Sequence, residues 1–200
     1  MYKRQIQQDG RARRQQDIFD LNRTKLINTA VDVINEVGDI REVTLTQIAK
    51  EAGVSPATAY NHFPDRMEDV FSAIVHSRMD VAANMGATLA DESLSVIEKL
   101  KKIPVTYAEN LVSLGYAGKV IVVQMFNLIN VNKWLDQDPV QAITALLSNS
   151  EQYQERADEI AVNVATAFRG AMFEYALNIG DHELFNRYSE EFFLLSLIHI

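Results

Sequence analysis

Thr44-Leu45-Thr46-Gln47-Ile48-Ala49-Lys50-Glu51-Ala52-Gly53-Val54-Ser55-Pro56-Ala57-Thr58-Ala59-Tyr60-Asn61-His62-Phe63 reads as two short helices joined by a tight turn. Thr44 and Gln47 have the spacing of a capping box, with a hydroxyl at the N-cap and a glutamine three residues on. The helix they open runs to Ala52, buries Leu45, Ile48 and Ala49, and stops at Gly53. Ser55 caps the second helix, and Pro56 takes its first position, where a missing N–H costs nothing. Gly53 supplies the conformation of the sharp turn, while Ala49 and Val54 let the helices approach. The second helix is expected to present Ala57, Thr58, Asn61 and His62 outward, to turn Phe63 inward, and to end near Phe63-Pro64.

Upstream, Leu26, Ile27, Ala30, Val33, Ile34 and Val37 fall on one helical face and Gly38 stops the pattern, which predicts a first helix over residues 22–37. Downstream, Asp65 and Glu68 form a second capping box, opening a helix whose apolar face is Met67, Val70, Phe71 and Ile74. Two short helices packed on a preceding one make a three-helix unit able to read DNA. Small and hydrogen-bonding side chains at a helix N-terminus can approach bases or phosphates closely. Hairpin geometry alone fits an ordinary helical hairpin with a glycine turn equally well.

The remainder is helical throughout, so the fold class is all-α: a small helix-turn-helix domain followed by a larger helical domain. Candidate helices are 93–114, 120–134, 138–148, 151–178 and 182–198, with Pro104 expected to kink or split the first. Val120-Ile121-Val122-Val123 has strand propensity but no strand partner, and is assigned to helix. Residues 1–20 are polar, rich in Gln and Arg and almost without apolar periodicity, and are expected to be an arm disordered in the free protein, the alternative being that part of it is helical. The expected partition is an arm at 1–20, a helix-turn-helix domain at 21–80 and a helical domain at 81–200.

The net charge of −8 argues against a polyanionic partner until its distribution is read. Residues 1–66 carry 10 basic against 9 acidic residues, and residues 67–200 carry 9 against 18. Residues 1–25 alone hold 7 basic and 3 acidic residues, so a polyanion is drawn to this end and repelled by the rest. The absence of cysteine excludes disulfides and thiolate zinc sites and fits a reducing cytoplasm. No run approaches the roughly 18 apolar residues of a membrane span, and the basic N-terminus is not followed by the apolar stretch of a secretory signal. The sequon Asn22-Arg23-Thr24 is read as chance. No nucleophile elbow, dinucleotide fingerprint, phosphate loop, zinc-protease motif or repeated Glu-x-x-His pair occurs, which disfavours an enzyme. His76 and Asp80 stand four apart on a helix, but without a third ligand they are read as a solvated pair, so no metal is expected.

The stretch from Thr44 to Arg66 resembles the DNA-binding domain of the TetR family of repressors. The ordered set Ile48-Ala49, Ala52-Gly53-Val54-Ser55 and Tyr60-x-His62-Phe63 carries the resemblance, which covers about residues 24–75. It implies that Thr44 and Thr46 touch phosphates and that Ser55, Ala57 and Thr58 sit at the major-groove edge. It further implies that Tyr60 and His62 hold the DNA backbone and that Asn61 faces bases or phosphate. Arg66 stands where the family usually has lysine, exchanging a point charge for a planar fork. Pro56 offers no side-chain donor, and Ala59 is smaller than the usual aliphatic residue. Arg11, Arg13 and Arg14 on the arm are candidates for an adjacent minor groove, the alternative being a solvated tail.

The same resemblance implies a C-terminal domain that dimerises and encloses a small-molecule effector, with double-stranded operator DNA and a second copy as partners and no cofactor. Ile160, Val164, Phe168, Ala171, Met172 and Tyr175 make one apolar stripe at helical spacing, with Ala157, Ala161 and Ala165 beside it. Phe185, Tyr188, Phe192, Leu195 and Ile198 mark a final helix, and Phe168 and Phe192 are the expected dimer contacts; the alternative is that these faces bury each other within one subunit. Tyr107, Met125, Phe126, Trp134, Phe168 and Met172 are the candidate effector-lining residues, although side chains of this kind are more often plain core. Residues 194–200 lack a polar cap, so they are either buried in that interface or not the natural end.

Overall fold

The computed structural model describes the backbone of residues 2–78, 81–130 and 139–177 and the side chains of 10–78, 86–125 and 140–177. Its described residues form helices and no strand: α1 Tyr2–Val37, α2 Leu45–Glu51, α3 Pro56–His62, α4 Met67–Arg78, α5 Val81–Ala90, α6 Val96–Ser113, α7 Tyr116–Asn130, α8 Pro139–Ser148 and α9 Ala157–Leu177. Single 3₁₀ turns at Ile40–Glu42 and Gln154–Arg156 precede α2 and α9. The chain divides into two compact units, Met1–Ile74 and Val75–Ile200.

In the first unit, α1 packs on α2 and α3, and these pack on each other. Leu26, Ile27, Ala30, Val33 and Ile34 are buried along α1, as their spacing requires. Gly38 ends the helix at φ 69°, a left-handed conformation that glycine adopts freely. Asp39 then caps the Ile40–Glu42 turn by accepting the Arg41 N–H, and Arg41 also reaches back to both carboxylate oxygens. These bonds hold the Asp39 carboxyl down at about 2.

One expectation fails here. Residues 2–20 are not an arm apart from the fold but the first five turns of α1. Gln, Arg and Ala are strong helix formers; missing apolar periodicity reports that residues 10–20 are exposed, not that they are unfolded.

The described residues of the second unit include α5 to α9, in which α9 packs on α7 and α8, and α6 on α5, α7 and α8. Ser95 and Glu98 complete a capping box at the start of α6. The helix runs unbroken through Pro104, where a split was possible. Pro104 leaves the Leu100 carbonyl without its usual donor, but Leu100, Ile103, Pro104 and Tyr107 are all buried, and this packing keeps the helix continuous. Val120 to Val123 lie within α7, as assigned. Residues 81–90, outside every candidate segment, form α5. Gly118 lies at the close approach of α6 and α7, where any Cβ would overlap the Leu111 carbonyl oxygen.

The two stripes of α9 are buried inside the subunit: Ile160, Val164, Phe168, Ala171, Met172 and Tyr175 together with Ala157, Ala161 and Ala165. Phe168 meets Tyr107 edge-on, ring centres 5.7 Å apart, so it is a core residue rather than a surface contact. What α9 does expose is a different row, Val162, Thr166, Gly170, Phe173 and Leu177, at four-, four-, three- and four-residue steps. Phe192 and the expected final helix at 182–198 lie outside the described residues.

Candidate nucleic-acid interface

The two short helices form with the caps their residues dictate. Thr44 Oγ1 accepts the Gln47 N–H at 3.2 Å, and Ser55 Oγ accepts the Thr58 N–H at 3.1 Å. Gly53, at φ 62°, makes the turn between them, and the Val54 N–H returns to the Ala49 carbonyl at 2.9 Å. Each helix has only seven residues, too few to be stable alone. Burial of Leu45, Ile48, Ala49, Ala59 and Phe63 holds them in place.

On the outer side, Thr44, Thr46, Ser55, Pro56, Ala57, Tyr60 and Asn61 are exposed and Thr58 is half-buried. Thr46 Oγ1 and the Tyr60 hydroxyl lie 3.3 Å apart, linking the outer edge of α2 to that of α3. Ser55 Oγ and Thr58 Oγ1 are 2.8 Å apart, so the two hydroxyls partner each other while Ser55 Oγ also accepts the Thr58 N–H. This face therefore offers hydroxyl and amide groups with no buried charge to desolvate, a chemistry suited to phosphate oxygens and base edges. Arg66 is exposed between α3 and α4 and has φ 57°, a left-handed conformation that costs a non-glycine residue about 1–2 kcal/mol. The Asp65 N–H goes to Asp69 Oδ2 at 2.7 Å, not to Glu68 as the expected capping box requires.

His62 corrects the reading of α3. Expected to face outward, it is buried, 5% exposed. The Phe19 ring covers it, centres 3.9 Å apart, and neither imidazole nitrogen has a hydrogen-bond partner. Burial holds its pKa below the ordinary histidine value; Arg23 adds repulsion, and Asp20 opposes both. The physical reason lies in the helix period. Ala59 and Phe63 face inward, and His62, three residues after Ala59 and next to Phe63, shares their side.

Arg23, which sequence reasoning passed over, belongs to the same corner. Its Nη1 donates to the His62 carbonyl at 3.0 Å, and its guanidinium lies 4.8 Å from the Phe63 ring centre. The signal that could have found it is the four-residue step from Phe19 to Arg23, visible only once α1 is extended upstream. Arg11, Arg13 and Arg14 are exposed on that upstream part of α1.

In the second unit, Tyr107, Met125, Phe168 and Met172 are buried. Lys119 Nζ lies 5.4 Å from the Tyr175 ring centre, and burial lowers the lysine pKa and raises that of the tyrosine. The Phe126 side chain and Trp134 lie outside the described residues. Among the described residues no cluster could hold a metal ion, and no helix is long and apolar enough to cross a membrane.

Comparison with known proteins agrees with this geometry. Residues 26–74 match the family described as bacterial regulatory proteins, tetR family. The HTH-type transcriptional regulator BetI of Brucella anthropi is 26% identical over 165 residues, 78% of this chain and 82% of the relative. BetI of Brucella canis is 33% identical over 69 residues, 34% of each chain. Among solved structures, the fatty acid degradation regulator FadR from Bacillus halodurans superposes with a TM-score of 0.67 at 22% identity, covering 88% of this chain and 94% of its own. A TetR-like transcriptional regulator from Rhodococcus sp. RHA1 gives 0.58 at 16% identity, covering 90% and 97%.

Proposed function

We propose that the chain is a transcriptional regulator of the TetR family, whose model matches residues 26–74, and that it acts in the cytoplasm as a homodimeric repressor, binding a pseudo-palindromic operator and released by a small-molecule effector. The observation that carries the reading is the exposed row Thr44, Thr46, Ser55, Ala57, Tyr60 and Asn61 across two capped helices, inside the segment that matches the family. In this reading α3 enters the major groove, Thr58 and Asn61 read base edges, and Thr44, Thr46, Tyr60 and Arg66 hold phosphates. His62 is not assigned a DNA contact, because it lies beneath Phe19.

Arg11, Arg13 and Arg14 add affinity through phosphates. A helix is about 10–12 Å across and the minor groove is about 6 Å wide, so these arginines act along the DNA backbone rather than by threading the groove. The exposed row on α9, where Phe173 is 44% and Leu177 59% exposed, supports an isologous contact with a second copy. An effector site in the larger unit would draw on Tyr107, Met125, Phe168 and Met172, which are buried there.

A shift assay on fragmented genomic DNA, with sequencing of the bound fraction, tests the reading. The expected result is a small set of fragments sharing an inverted repeat, its half-sites one or more duplex turns apart, about 34–36 Å per turn. Binding that is uniform across fragments, or a bound set with no inverted repeat, contradicts it.

A further inference from the structure

Phe19 and Arg23 stand one turn apart on α1, and both close on the last residues of α3. Arg23 donates to the His62 carbonyl and lies over the Phe63 ring, while Phe19 covers the His62 ring. The last four carbonyls of a helix have no acceptor role within it, so the guanidinium satisfies a group at the end of a helix only seven residues long. Such a helix takes its direction from what holds its ends. Ser55 holds the N-terminal end from within; α1 holds the C-terminal end.

Two observations separate this contact from ordinary packing. His62 is buried with both ring nitrogens lacking hydrogen-bond partners, an arrangement native proteins rarely keep without a reason. Phe19 itself is 42% exposed and lies upstream of the α1 residues that form the core, Leu26, Ile27, Ala30, Val33 and Ile34. Phe19 is not among the buried residues of the core, yet this ring is what lies over His62. Arg23 and Asp20, both on α1, are the charged groups that act on the imidazole.

We propose that Phe19 and Arg23 are positioning residues for DNA recognition: they fix the C-terminal end of α3 so that Tyr60 and Asn61, on its last turn, meet the duplex at one angle. Because both sit on the helix that carries Arg11, Arg13 and Arg14, the basic extension and the recognition helix move as one piece. The proposal rests on the reading of α3 as the recognition helix.

The test uses the full chain and its Phe19→Ala, Arg23→Gln and Phe19→Tyr variants, with a 30-base-pair duplex selected by the parent from a random-sequence pool (length about three turns). Two quantities are read: the titration of the His62 ring by NMR, which reports whether Phe19 covers it, and duplex affinity, which a merely structural role for Phe19 would leave in place. Phe19→Ala is expected to raise the His62 midpoint toward the ordinary histidine value and to weaken the duplex about tenfold, with the melting transition retained. Arg23→Gln is expected to weaken the duplex similarly, and Phe19→Tyr to keep both properties of the parent. A Phe19→Ala variant with an unmoved His62 titration, or with parental affinity, overturns the proposal while leaving the DNA reading intact. A parent that selects no duplex overturns the recognition reading, and this role with it.

Discussion

Replacing Gly53 with alanine isolates one term, backbone strain at the turn. Gly53 has φ 62°, and the nearest atom to a Cβ built there is Lys25 Nζ at 3.7 Å, an ordinary contact with the end of a flexible side chain. Steric overlap is therefore absent, and the effect is conformational. A left-handed backbone costs an L-residue about 1–2 kcal/mol. Alanine also restricts the unfolded chain, which returns about 0.4–1 kcal/mol. The net loss is about 1 kcal/mol, roughly a fivefold fall in the folded-to-open ratio of the α2–α3 region. Asparagine tolerates this conformation and should lose less, whereas valine, β-branched, should lose more. Hydrogen exchange at the amides of α2 and α3 in the full chain reads the opening directly, without requiring the two units to unfold together. The expected order of protection is Gly, Asn, Ala, Val. An alanine variant as protected as the parent would refute the assignment of the turn to glycine's freedom, as would Asn and Val variants of equal protection.

Other outcomes follow from single contacts. Ser55→Ala removes the acceptor for the Thr58 N–H at the start of α3 and should destabilise the first unit by about 1 kcal/mol, read as a lower urea midpoint at unchanged slope; no change would mean that water replaces the cap. Gly118→Ala forces a methyl against the Leu111 carbonyl and should cost the second unit about 1–3 kcal/mol, seen in its melting temperature, and parental melting would show that α6 and α7 are further apart than described. His62 has a lowered pKa when folded, so the unfolded chain takes up the proton first. The stability His62 contributes is full above its unfolded value near 6.5 and is lost as pH falls below it. His62→Gln should flatten that acid-side loss, and an identical pH profile would assign it to other groups. Phe173→Glu places a charge on the exposed row of α9 and should shift the sedimentation of the chain toward monomer; an unchanged dimer would place the interface elsewhere.

The helix-turn-helix was legible because its signals are local. Thr44, Gly53, Ser55 and Pro56 each name a backbone state, and each adopts it. Burial of Leu45, Ile48 and Ala49 follows from the same spacing. The start of α1 was illegible because periodicity reports which face is buried, and residues 10–20 have no buried face. Of the two outcomes Pro104 allowed, the split does not occur: the proline rule concerns one missing N–H, while the continuity of α6 is decided by packing on both sides of it. His62 was open to deduction, since it shares the helical face of Ala59 and Phe63, but its residue type argued for the surface. The apolar stripes on α9 were correctly found and assigned to the wrong partner. A stripe says that a face is buried and cannot say whether by the same subunit or another.

The central claim is that α3 reads base edges, and the most direct measurement is base-by-base operator preference in the parent and in Asn61→Ala. Asn61 is exposed on the last turn of α3 and has no role in the core, so its loss should leave folding unchanged. Affinity for each single-base variant of the selected operator would be measured at fixed salt, since phosphate contacts make absolute values salt-dependent. The account predicts a loss of about 1–3 kcal/mol on the parent operator, with preference relaxed at one position of each half-site and kept at the others. Parental affinity with every preference retained, or an equal loss on all sequences, would contradict it.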